Sequence, residues 1–275
     1  MSTSEATHPS VNRAVQNIWP DCRTPRASLT GGAALLVVLI AACALGGGCA
    51  PVYHPTTVHT PMLREGGAVQ VGGFATTSGL DAHAAAALTD RVSVIGGYAQ
   101  GEAEQSRCSA PIGADCAEVP DDRRRHRFGE VGVGYQRSLH GPSGFHGVVH
   151  AGYGRGWAEV VTHHERTGGH EESAEGDYHR FFVQPGVFFD RGALQVAHAS
   201  RLSHVRFSAF EANGARAEDR GHLFWEPALT IRAGPDPIVF GVQSSLAVPL
   251  GGDVGYDYQR FTISVGAQLR LNEVF

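Results

Sequence analysis

The chain has 275 residues, with 22 basic and 27 acidic side chains and a formal net charge of −5, so it offers no basic surface for nucleic acid and no nucleic-acid partner is expected. Only 18% of its residues are charged, and its 36 glycines recur inside apolar stretches instead of gathering in linkers. That pattern argues against an ordinary soluble core, where glycine inside a strand weakens the sheet.

Residues 1–48 read as an export signal. Arg23 and Arg26 precede the apolar run GGAALLVVLIAACALGGGCAP, whose uncharged core, Ala33 to Leu45, is too short for a spanning helix of about 20 residues. Cys43 and Cys49 follow, where a bacterial lipoprotein signal places the cysteine that becomes acylated. IAAC, ending at Cys43, matches the aliphatic part of such a signal better, because Gly46 stands at the aliphatic position before Cys49. CAPVYHPTTVHTPMLREGG, which begins at Cys49, resembles the start of mature barrel-like bacterial lipoproteins, and that resemblance implies Cys49 as the lipidation site, with Cys43 the alternative; a plain signal peptide or an uncleaved anchor helix is the bland reading. Residues 49–66, rich in Pro and Thr, are expected to be a lipidated N-terminus and tether, and 67–275 to form a barrel.

From residue 67 onward the apolar residues recur with period two and no helical stripe is sustained. The expected strands are 67–76, 80–88, 91–102, 126–139, 144–160, 177–189, 193–206, 222–233, 237–248 and 256–271. The second, LDAHAAAALT, also admits a short helix because alanine favours helix, which leaves eight strands open beside ten. TDR at 89–91, HGPSG at 140–144, DRG at 190–192 and GPDP at 234–237 are tight turns. Long polar segments at 103–125, 161–176, 207–221 and 249–255 lie between them, and only TTSG at 76–79 is short where a long loop is due. An even number of antiparallel strands, with tight turns at one end and longer loops at the other, is the pattern of outer-membrane barrels. It predicts an all-β, antiparallel, up-and-down membrane barrel with both termini on the periplasmic side.

Face by face, Leu223, Trp225, Leu229 and Ile231 alternate with His222, Phe224, Glu226, Thr230 and Arg232, and Val131, Val133 and Tyr135 with Glu130, Gly132, Gly134 and Gln136. Turning Glu130, Glu226, Arg232 and Arg270 inward lets opposite charges neutralise one another, whereas arginine facing lipid at mid-membrane costs about 2–4 kcal/mol. Arg180 and Arg201 join that inner set. Side chains are expected to fill the lumen, with inner glycines making room for the long ones. The charges could instead line a permeation path. Tyr98, Tyr135 and Trp157 near strand ends suit an interfacial aromatic belt, or ordinary strand packing.

Three further constellations stand against bland alternatives. Cys108 and Cys116, in CSAPIGADC, could close a small disulfide loop in an oxidising compartment; a zinc site is not completed by two cysteines alone. HHERTGGHEE places His163, His164, Glu165, His170, Glu171 and Glu172 together, so His163, His164 and His170 are weak candidates for a metal, against a solvated polar loop. No cofactor is expected. His198 and Ser200 share one side of a strand, as a histidine that activates a serine would require, although no orienting acid is evident.

The chain ends with SVGAQLRL, in which Ser264, Gly266, Leu269 and Leu271 resemble the C-terminal assembly signal of outer-membrane barrels; NEVF extends past it. CAPVYHPTTVHTPMLREGG after Cys49, together with YGRGWAE, YHRFFVQPGVFFD, ASRLSHVRF and FWEPALTIRAG, resembles a family of uncharacterised barrel-like bacterial outer-membrane lipoproteins. The resemblance implies fold and location but no chemistry. It implies outer-membrane lipid, the lipoprotein-processing and barrel-assembly machineries and a surface partner as the things this chain meets.

The expectation is therefore a lipid-anchored outer-membrane barrel with a structural or surface-interaction role and no catalysis. A lipid-tethered periplasmic barrel holding an apolar ligand inside is the alternative, and a barrel enzyme acting on membrane lipid the distant one.

Overall fold

A computed structural model describes residues 51–63, 65–105, 122–139, 144–164, 170–216, 221–252 and 254–271. Among them there is no helix. The strands are β1 (Val69–Thr76), β2 (Gly79–Ala87), β3 (Val92–Gln105), β4 (Asp122–Ser138), β5 (Phe145–His164), β6 (His170–Arg191) and β7 (Leu194–Ala212). The remainder are β8 (Ala215–Arg216), β9 (His222–Ala233), β10 (Ile238–Leu246), β11 (Val248–Pro249) and β12 (Phe261–Leu271). The two-residue strands β8 and β11 only extend ladders of β7 and β9.

The other ten close on themselves. Each pairs antiparallel with the next, β9 pairs with both β7 and β10, and β12 joins β10 to β1. Closure decides ten strands over eight, and the alanine-rich β2 lies in the wall with full ladders to β1 and β3. Its alanines prefer helix, but in isolation only; two flanking ladders satisfy every backbone group there and override that small preference.

Period two is obeyed round the wall apart from a register shift between β6 and β7 at Asp177/Tyr178. Outward side chains are apolar: Val131, Val133 and Tyr135 on β4, Phe181, Val183 and Val187 on β6, Phe240 and Val242 on β10, Val265 and Leu269 on β12. Inward side chains are mostly polar and buried, among them Gln70, Asp81, Glu130, Arg180, Gln184, Gln195, Arg201, Glu226, Thr230, Arg232, Gln243, Gln268 and Arg270. A barrel holding an apolar ligand would need these two faces exchanged. Inner glycines of β5 make room chiefly for rings: a Cβ on Gly154 would lie 2.2 Å from Phe128 Cζ, and one on Gly156 2.4 Å from Tyr178 Cζ.

The wall is uneven in height. β3 to β7 run 14 to 22 residues while β1, β2, β9, β10 and β12 run 8 to 12. Several strands therefore outrun their expected limits: β4 begins at Asp122, β6 at His170, and β7 continues to Ala212. Those extensions are polar, so apolar periodicity could not reveal them. Their outer faces carry ion pairs instead, the exposed Arg125 with Glu102 at 2.6 Å and the half-buried Arg123 with Glu159 at 3.1 Å, each worth little alone. One signal was present in the sequence. Asn213 and Gly214 have φ of 52° and 72° and form a two-residue hairpin between Ala212 and Ala215, inside the stretch expected to be one long loop.

Candidate functional site

The lumen is occupied by the chain itself. Residues 52–63 are buried without interruption, and only Pro51 before them is partly accessible. Twelve residues in extended, proline-bearing conformation span about 37 Å, enough to cross the barrel from end to end. Pro51, Pro55 and Pro61 have no N–H to contribute to a ladder, and this strap pairs with no strand of the wall beyond a single parallel bridge, Tyr53 to Tyr258. The sequence reading expects 49–66 to be an outside tether. The strap is instead the filling of the lumen, because its backbone groups find partners there that a free tether would find only in water.

Those partners are the inward side chains of the wall. Thr57 N donates to Asp81 Oδ2 at 2.7 Å, Val58 N to Gln243 Oε1 at 2.7 Å and Met62 N to Gln70 Oε1 at 3.1 Å. The carbonyls are met as well. Gln184 Nε2 donates to His59 O at 2.6 Å, Gln243 Nε2 to Val58 O at 2.8 Å and Arg232 Nη1 to Thr60 O at 2.8 Å. Gln243 thus holds both backbone groups of Val58, as a neighbouring strand would. Buried backbone groups left unmet are expensive, so the glutamines and the arginine are what allow the strap inside.

Its side chains interleave with the same wall. Tyr53 Oη donates to Glu226 Oε1 at 2.7 Å and accepts from Arg180 Nη1 at 3.3 Å, while its ring lies against Tyr178 and Phe224. Arg180 Nη2 donates to Thr56 Oγ1 at 2.8 Å, and Arg232 Nη2 to Thr60 Oγ1 at 2.6 Å. Val58 packs with Ala199 and Ala228, Met62 with Val148, Phe188 and Ala197, and Leu63 with Ala85, Ala87, Ile95 and Phe182.

The inner charges lie where the alternation puts them; Glu130 is neutralised within the set, whereas Glu226, Arg232 and Arg270 find partners outside it. Glu130 is met by Arg180 at 2.6 Å and Arg201 at 3.4 Å, and those guanidinium groups lie over the rings of Phe128 and Phe182. Glu226 is held by Tyr53 and by Ser203 Oγ at 2.7 Å, and Arg232 by Thr60 of the strap. Arg270 reaches Asp236 at 2.6 Å and Asp190 at 3.8 Å near the tight-turn end. Half of this network involves the strap, which the sequence reading left outside.

The strap has a direction. Val52 N and Tyr53 N both donate to Asp257 O, Gln259 N donates to Tyr53 O at 3.0 Å, and His54 Nδ1 is 3.1 Å from Gln259 Oε1 while its ring stacks on His126. Asp257 and Gln259 belong to the connection from β11 to β12, at the end where β3 stops at Gln105 and β4 begins at Asp122. Burial pushes the Asp257 carboxyl above its usual range, against the pull of Arg260. Tyr256 and Tyr258 of this connection pack on Phe207, Phe210, His222 and Phe224 and cover the strap where it begins. At the far end Leu63 lies beside Ala87 and the turn to β3, after which Gly67 N donates to Ala87 O and Gly66 N to Asp90 Oδ1. The strap thus runs from the long-loop end to the tight-turn end. Pro51 is at the opposite end from Leu271, which pairs with Val69 at the start of β1. The expectation of both termini at one end is corrected for the described chain.

Other candidates fare differently. Cys43, Cys49, Cys108, Cys116 and Glu165 lie outside the described residues. His163 and His164 pair by backbone register with Glu171 and His170, so the described residues of HHERTGGHEE lie in a hairpin ladder, and His163 N donates to Asp122 Oδ1 at 2.9 Å. Among the described residues no group of three metal-ligating side chains is assembled. Ser200 Oγ accepts from Trp225 Nε1 at 2.7 Å, and the described ladder partners of His198 and Ser200 are Val187, Leu229 and Pro227, none of them an acid. Ser264 and Gly266 face inward and Leu269 and Leu271 outward, with Gly266 beneath the Phe74 ring. Tyr98 and Tyr135 are exposed outward, and Trp157 Nε1 donates to Glu175.

No family model matches the sequence, and no curated protein matches it. Among solved structures, the translocator domain of autotransporter NalP from Neisseria meningitidis is similar at 13% identity, covering 74% of this chain and 86% of that one, with a TM-score of 0.40. The barrel assignment rests on the strand ladders and not on that likeness.

Proposed function

We propose that this chain is an outer-membrane β-barrel, lipid-anchored through Cys49, that serves a structural or surface-interaction role and carries neither a channel nor catalysis of its own. The observation that supports it is the combination of an apolar outer face with a filled lumen. Exposed Val131, Val133, Phe181, Val183, Phe240, Val242 and Val265 would be a liability in water and suit lipid, while twelve buried strap residues leave the interior closed. With the inside closed, recognition falls to the long-loop end, where β3 to β7 rise past the apolar band and present the ion pairs Arg125 with Glu102 and Arg123 with Glu159. Processing by the lipoprotein machinery and insertion by the barrel-assembly machinery belong to the same reading.

The test is extraction and migration. A spanning barrel leaves the outer-membrane fraction only with detergent and runs faster on a gel before boiling than after. Release by salt or carbonate alone would overturn the membrane assignment. Radiolabelled palmitate should enter the wild-type chain and the Cys43→Ser variant but not Cys49→Ser; labelling that survives in Cys49→Ser would move the lipid to Cys43.

A further inference from the structure

The strap's direction bears on where the chain before it emerges. Val52 and Tyr53 are fixed to Asp257 and Gln259 on the long-loop end, and Leu63 is fixed beside Ala87 at the tight-turn end. β1 then starts at the tight-turn end and runs back. The strap is consequently threaded against β1, and its polarity cannot be reversed without breaking the hydrogen bonds of Thr57, Val58, Thr60 and Met62 to Asp81, Gln243, Arg232 and Gln70. In outer-membrane barrels the tight turns face the periplasm and the longer loops the outside. Cys49 precedes Pro51 by two residues, which allows it no more than about 7 Å from Pro51 along the chain.

Resting on the lipid-anchored barrel reading, we infer that the lipid-bearing N-terminus is displayed on the cell surface, threaded out through the lumen of its own barrel, with its acyl chains in the outer leaflet. The opposite placement, in the inner leaflet, would need residues 50–51 to run the height of the wall from the long-loop end, which two residues cannot do. The closed wall holds the strap by side chains from β1, β2, β6, β9 and β10.

The experiment uses the full chain in its own outer membrane, with Cys108 and Cys116 replaced by serine. A short epitope is inserted after Ala50, and single cysteines are placed at Ala215, in the hairpin beyond β7, and at Arg91, in the turn between β2 and β3. Intact cells are probed with antibody and with an impermeant thiol reagent, then again after the outer membrane is opened. The expected result is epitope and Ala215→Cys signal equal before and after opening, with Arg91→Cys reacting only after. If Ala215→Cys reacts on intact cells but the epitope needs opening, the threading inference is overturned while the spanning barrel stands. If neither Ala215→Cys nor the epitope reacts until opening, the spanning reading fails and takes the inference with it. Because an insertion can disturb folding, a second variant without one, Thr60→Cys with Thr230→Cys, tests the strap's place directly. Their hydroxyls are 3.3 Å apart, and oxidation should give an intramolecular crosslink in the folded, heat-modifiable band. A heat-modifiable barrel that forms no crosslink overturns the inference.

Discussion

Tyr53 and Glu226, 173 positions apart, share a 2.7 Å hydrogen bond between fully buried side chains, one on the strap and one on the wall. The Tyr53→Phe variant keeps the ring against Phe224 and removes only the hydroxyl, leaving Glu226 Oε1 without its donor and Arg180 without one acceptor. The loss should be about 1–3 kcal/mol, read as a lower urea midpoint for the heat-modifiable band. An unchanged midpoint would mean that the strap is not seated there in the membrane.

Glu130 stands between two guanidinium groups that have no exposure at all. Truncation in Glu130→Ala strands Arg180 and Arg201 as buried charges and should cost about 3–5 kcal/mol, against a smaller loss for Glu130→Gln, which keeps hydrogen-bond acceptance. The comparison is made by refolding yield and urea midpoint in detergent micelles.

A closed lumen should not conduct. The full chain in a planar bilayer is expected to be electrically silent, whereas a variant in which residues 51–63 are replaced by a Gly-Ser linker, which cannot supply Tyr53, Val58 or Met62, should show discrete openings. Conductance of the full chain equal to that of the variant would refute occlusion by the strap.

Glycines separate into those beneath a ring and those facing outward. At Gly154 an added Cβ meets Phe128 at 2.2 Å and the Gly129 carbonyl at 2.9 Å, while at Gly73 nothing lies within 4 Å. Gly154→Ala should destabilise by about 1–3 kcal/mol through overpacking, and Gly73→Ala should be nearly neutral. Thermal loss of the fast-migrating band distinguishes them.

Val131 is 64% exposed on the outer face of β4. If that face meets lipid, Val131→Arg costs about 2–4 kcal/mol and depresses assembly, whereas in a barrel surrounded by water the same change is tolerated. Outer-membrane yield of the variant, measured beside that of Arg125→Ala in the polar extension, tells the two apart.

Much of the wall was legible in the sequence. Period two is a local property, readable from five or six neighbours, so the ten strands, the inward set of Glu130, Glu226, Arg232 and Arg270, and the alternation of tight turns with long connections follow from sequence order alone. The polar extensions of β4, β6 and β7 were not, because where both faces are polar the apolar period vanishes and only the ladder itself marks a strand. The strap was read as a tether for a related reason. Prolines at 51, 55 and 61 and threonines between them describe an extended segment equally at home in water or in a lumen, and nothing in residues 51–63 says which. That choice is made by Asp81, Gln184, Arg232 and Gln243, which are 24 to 185 positions away where they bond the strap and converge on it only when the barrel closes. The sequence determined the wall because side-chain alternation is short-ranged; closure of that wall decided what fills it and in which direction it runs, because the backbone groups of an unpaired strap can be buried only where the assembled lumen supplies their partners.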